Sequence, residues 1–149
     1  MRRYMNCLTF AGLVAAVLVL AACQKHPGDV QAEHPAEVKP IEGTELSTVT
    51  LTEKAMQRID LKTDRVREQQ VSRSPSPRKV VPYSSLIYDP EGQTWIYISP
   101  QARTFVRHKV DVDYIEGDIA VLKDGPPTDT VVASVGAAEL YGAEFEVGH

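Results

Sequence analysis

From position 79 onward the chain is cut at short intervals by turn sequences: Asp89-Pro90-Glu91-Gly92, Glu116-Gly117-Asp118 and Asp124-Gly125-Pro126-Pro127. Proline at the second place of a turn pre-sets its φ, and glycine supplies the positive φ that other residues resist. Between the turns, residues 79–88, 94–99, 104–113, 119–122 and 130–135 are rich in β-branched and aromatic side chains. Runs of this length cannot hold a long helix, and no extended amphipathic heptad pattern occurs elsewhere. The pattern predicts a mainly β fold, a small antiparallel β roll or sandwich, with one short helix. That helix is expected at 53–59, where Thr52 can cap the first turn and Glu53 meets its positive end. Residues 60–66 suit a strand whose inward face the pattern leaves open, and the serine- and proline-rich segment 71–78 reads as a connection.

The amino terminus has a different character. Arg2 and Arg3 precede an uncharged apolar run, 8–22, which ends in Leu20-Ala21-Ala22-Cys23. A helix crossing the hydrocarbon core needs about 20 apolar residues, so the run is short for a span. A basic start followed by a short apolar core is the pattern of an export signal. Small residues immediately before a cysteine resemble the bacterial lipobox, which implies cleavage ahead of Cys23 and acylation of its thiol. An uncleaved anchor helix would leave the remainder on the same side of the membrane. The expected organisation is a signal peptide at 1–22, a lipidated cysteine and disordered tether at 23–47, and a β domain at 48–149. Residues 24–45 carry Pro27, Pro35 and Pro40 among charged side chains, with no apolar period to offset chain entropy. As a flexible tether they would hold the domain roughly 25 Å from its lipid. With Cys7 lost in the signal and Cys23 acylated, no thiol remains for a disulfide or a metal.

Composition narrows the chemistry. The formal net charge is −4, and loss of Arg2 and Arg3 would make the remainder more acidic. An acidic chain without a lysine or arginine cluster lacks the grouped cations of a nucleic-acid surface. No catalytic set is apparent: Ser84 and Ser85 lack a glycine elbow and a paired histidine, and no glycine loop suits phosphate. His26, His34, His108 and His149 are scattered, so no three converge by spacing on a metal, and His108 is expected to face solvent. Asp111 and Asp113 share a strand face, where solvation is the ordinary role. No cofactor is expected. In Trp95-Ile96-Tyr97-Ile98 the aromatics take one face and the isoleucines the other, as in a strand covered on both sides. If partly exposed, the aromatic content, Tyr83, Tyr88, Trp95 and Tyr97, would form a docking surface.

Val80-Val81-Pro82-Tyr83-Ser84-Ser85-Leu86-Ile87-Tyr88, then Gly92-Gln93-Thr94-Trp95-Ile96-Tyr97-Ile98, then Phe105-Val106-Arg107-His108-Lys109-Val110 with Gly117-Asp118, follow one another in a distinctive order. Asp124-Gly125-Pro126 and the stretch 130–140 complete it. This order resembles the membrane-proximal domain of periplasmic adaptor proteins, the membrane-fusion subunits of resistance-nodulation-division efflux pumps, over residues 48–140. The resemblance implies a lipid-anchored accessory of a tripartite efflux system, facing the periplasm, with a transporter or adaptor as partner. Gln24 after the cysteine favours the outer membrane, again by resemblance. In a full adaptor a barrel, a lipoyl domain and a long helical hairpin precede the valine-proline strand. Here residues 68–77 occupy that gap, which implies a module that docks but cannot bridge two membranes. The alternatives are a periplasmic metal-binding or chaperone lipoprotein using His26, His34 and His149, and a truncated adaptor remnant.

Overall fold

The computed structural model describes residues 34–145. The signal peptide 1–22, Cys23 and the tether up to residue 33 lie outside the described residues, as does His149. Eleven strands and two α-helices follow in chain order: β1 (Ala36–Pro40), β2 (Ser47–Leu51), α1 (Glu53–Arg58), β3 (Lys62–Arg65), β4 (Arg67–Gln69), β5 (Arg78–Pro82), a 3-10 turn (Tyr83–Ser85), β6 (Ile87–Tyr88), β7 (Thr94–Gln101), β8 (Thr104–Lys109), β9 (Asp111–Glu116), β10 (Ile119–Asp124), β11 (Val131–Val135) and α2 (Ala137–Glu144). All pairings are antiparallel. One sheet runs β1-β2-β8-β7-β11-β3 with β6 beside β7, and a second runs β4-β5-β10-β9. The expected mainly β, antiparallel two-sheet architecture is present.

Alternation along the strands explains how these sheets pack. Successive strand residues point to opposite faces. Ile96 and Val132 face a cluster with Val81, Ala120 and Leu122, which is the core between the two sheets. Their neighbours Tyr97 and Ala133 face a second cluster with Val49, Leu51, Phe105 and the helix residues Ala55, Ala137 and Leu140. The larger sheet is therefore covered on both faces, by the smaller sheet on one and by the helices on the other. On the outer face of the smaller sheet, Val80 and Val121 close against Val71. Leu140 is fully buried, a transfer worth about 2 kcal/mol that seats α2 on the sheet.

The local signals at the turns act as expected. Thr52 accepts a hydrogen bond from the Ala55 N–H at 3.1 Å and caps α1. Gly92 at φ +78° and Gly117 at φ +59° turn the β6–β7 and β9–β10 connections.

Three features depart from the sequence reading. The tether does not extend to residue 47: Ala36–Pro40 is a strand, pairing with β2 from Ala36↔Leu51 to Pro40↔Ser47. Its apolar residues Ala36 and Val38 alternate and pack on the helix-side core. Two inward side chains suffice because the partner strand supplies the backbone hydrogen bonds. The stretch 79–88 is not one strand either. After Pro82 the chain makes the 3-10 turn, with Leu86 N–H donating to Tyr83 C=O at 3.1 Å, before resuming as β6. Finally, the described residues form two helices rather than one: Gly136, left-handed at φ +87°, stops β11 and starts α2.

Candidate functional site

Antiparallel pairing of β7 with β8 sets Trp95 opposite Lys109 and Tyr97 opposite Arg107. All four belong to the helix-side face, and α2 packs over Tyr97 and Arg107. Arg107 follows Phe105 on the inward face of β8 and has a side chain only 7% exposed. A buried guanidinium requires a counter-charge. Glu144, in the last turn of α2, provides it: Arg107 Nε donates to Glu144 Oε2 at 2.8 Å, and the Tyr97 hydroxyl donates to the same oxygen at 2.6 Å. Burial, reinforced by the adjacent Glu144 carboxylate, pushes the Tyr97 phenol far above its ordinary range, so Tyr97 keeps the proton that it donates to Glu144.

Aromatic rings complete the surroundings of the guanidinium. Its Cζ lies 4.6 Å from the Trp95 ring centroid and 4.8 Å from that of Phe145, within the range of cation–π attraction. Tyr141 packs beside Phe145 with centroids 4.7 Å apart. On the other side of Trp95, the indole Nε1–H donates to Asp89 Oδ2 at 2.8 Å and the Gln93 N–H donates to Asp89 Oδ1 at 2.7 Å. Burial alone would raise the Asp89 pKa. The Trp95 indole, the Gln93 and Glu91 amides and the charge of Arg107 outweigh it and hold the carboxyl below the ordinary carboxylate range.

These groups enclose a half-open groove of about 640 Å³. Trp95, Tyr141 and Phe145 form its aromatic walls, Arg107 and Lys109 supply positive charge, and Glu45, Asp89 and Glu91 supply negative charge. The volume is that of a small-molecule cleft. Among the described residues that line it, none is a nucleophile with a neighbouring base.

The four aromatics expected to share a docking surface separate. Tyr83 and Tyr88 are exposed, at 49% and 56%. Trp95 is half-buried in the groove. Tyr97 is fully buried beneath α2 and cannot meet a partner; the alternation that pairs it with Trp95 turns both toward a face that α2 covers. His108 is half-buried on the opposite face of β8 from Arg107. Asp113 pairs with Arg78 at 3.0 Å, and Glu116 accepts from Ser72. Among the described residues no three metal-ligating side chains converge, and no helix is long and apolar enough to cross a membrane. The sequence reading missed Arg107 and Glu144. The available signal was an arginine on the same alternation as Phe105, but its counter-charge lies 37 positions away. Compared with protein-family models, curated proteins and solved structures, the chain matches none.

Proposed function

We propose that the protein is a lipid-anchored, adaptor-like module of the bacterial cell envelope, facing the periplasm, that docks to a transporter or adaptor of an efflux system. One observation carries the reading. Strand β4 pairs directly with β5, from Arg67↔Val80 to Gln69↔Arg78. This is the position at which an adaptor of the resembled family leaves its membrane-proximal domain to build the barrel, lipoyl domain and hairpin. Closing the gap with a β-hairpin yields a complete two-sheet domain without the elements that reach an outer-membrane channel. A domain of that form can dock to an assembly and cannot span it.

Docking on this reading uses the exposed Tyr83, in the 3-10 turn, and Tyr88, in the short strand β6, together with unpaired strand edges. Lipid attachment at Cys23 places the domain at the membrane; two or more acyl chains suffice for stable anchoring. In a strain carrying the native genes, site-specific photocrosslinkers at positions 83 and 88 are expected to trap a membrane transporter or adaptor subunit. Radiolabelled palmitate is expected to label the wild type and not Cys23→Ala. Absence of label in the wild type, or labelling that persists in Cys23→Ala, removes the lipid anchor. Recovery of no transport component by either crosslinker removes the adaptor reading.

A further inference from the structure

The groove over Trp95 has a feature that neither structural packing nor the docking reading uses. Arg107 is more than nine-tenths buried, yet only its Nε is hydrogen-bonded; Nη1 and Nη2 have no partner among the described residues. Neither nitrogen is a sealed, unsatisfied atom, and Arg107 lines the groove, so its free edge opens there. A planar guanidinium held on two aromatic faces and anchored from behind by a carboxylate is pre-organised for a carboxylate ligand. Lys109 adds a second cation on the same strand.

The rim has the opposite sign. Glu45 and Glu91 are exposed at the mouth, and Asp89 is held ionised by the Trp95 indole and backbone amides. A simple anion would meet the Arg107 edge but be repelled by these carboxylates. A simple cation would suit the rim and be repelled by Arg107 and Lys109. A ligand carrying both charges a few atoms apart satisfies both, and the walls formed by Trp95, Tyr141 and Phe145 favour an aromatic body. We infer that the groove binds an aromatic zwitterion of the α-amino-acid class, its carboxylate on Arg107 and Lys109 and its ammonium toward Glu91 and Glu45.

Trp95 is the single tryptophan of the chain, so its fluorescence reports occupancy without a label. Three probes separate the charges: L-phenylalanine, phenethylamine, which lacks the carboxylate, and 3-phenylpropionate, which lacks the ammonium. Titrated into the full chain in detergent micelles, L-phenylalanine is expected to change Trp95 emission saturably, and each truncated probe to bind at least about tenfold more weakly. Lys109 and Glu91 are exposed, so Lys109→Gln and Glu91→Gln leave the core intact. Lys109→Gln is expected to weaken L-phenylalanine and 3-phenylpropionate but not phenethylamine. Glu91→Gln is expected to weaken L-phenylalanine and phenethylamine but not 3-phenylpropionate. No saturable change up to millimolar L-phenylalanine overturns the inference. A truncated probe binding as tightly as L-phenylalanine also overturns it, by reducing the groove to a simple cation or anion site.

Discussion

Replacing Glu144 by glutamine tests the central electrostatic contact of the fold. The amide oxygen can still accept from the Tyr97 hydroxyl, so the substitution removes charge while nearly preserving shape. It leaves Arg107, with a side chain 7% exposed, without the carboxylate 2.8 Å from its Nε. Breaking one side of a buried pair costs ~3–5 kcal/mol, because the remaining charge stays desolvated; two cation–π contacts retain part of the compensation. The expected loss for Glu144→Gln is therefore about 3 kcal/mol, a fall in Tm of about 10 °C for a domain of this size. Tyr97→Phe removes one hydrogen bond to a charged acceptor and strands no charge, so it should cost only about 1.5 kcal/mol. Urea unfolding followed by Trp95 emission measures both, with an unchanged m-value as the check that the compared states are the same. The triple variant Tyr97→Phe, Arg107→Met and Glu144→Leu removes both charges together with the hydroxyl that Glu144 satisfies, and is expected to fall within about 1 kcal/mol of the wild type. A cost for Glu144→Gln below that of Tyr97→Phe, or a triple variant as unstable as Glu144→Gln, refutes the counter-charge role of Glu144.

Asp89 gives a pH signature. Its folded pKa lies below the ordinary 3.8, so the ionised form is favoured by folding. That contribution is complete above 3.8 and is lost as the pH falls from there through the depressed folded value. Asp89→Asn should flatten the acid side of the stability curve below about pH 4, measured by unfolding at stepped pH; an unchanged slope removes Asp89 from the account. A Cβ at Gly125 would sit 2.9 Å from Leu122 Cδ1 and 3.3 Å from Val110 Cγ1. Both neighbours are buried in the core between the sheets, so Gly125→Ala should cost about 1–3 kcal/mol by overpacking. A thermal midpoint equal to wild type would show that this corner has slack.

What the sequence disclosed was local. Thr52 before Glu53 announces a helix start through a hydrogen bond spanning three residues, and Asp89 to Gly92 announces a turn by its own backbone preferences. Alternation in Trp95 to Ile98 also carried the correct message that both faces of β7 are covered. The remainder depended on partners distant in sequence. Strand β1 has only two inward apolar residues and gains its order from β2, so its charged and proline-flanked sequence resembles a tether. Trp95 and Tyr97 cannot be told apart by alternation, since only the passage of α2 over Tyr97 separates a groove wall from a core residue. Arg107 reads as an ordinary surface arginine until Glu144 is brought beneath it.

The strand order of the larger sheet has a consequence for how the molecule comes into being. Both of its ends are occupied by early strands, β1 with β2 at one side and β3 at the other, while β8, β7 and β11 fill the space between. Strand β3 has its single partner in β11, through Val131↔Arg65, and β2 reaches the sheet through β8. A chain emerging amino terminus first, from a ribosome or through a narrow pore, can form the hairpins β1–β2, β4–β5, β7–β8 and β9–β10 as they appear, but β3 waits for β11. Such long-range pairings are slow to close, and here closure awaits β11, the last strand among the described residues. The larger sheet therefore closes late, joining hairpins that have already formed.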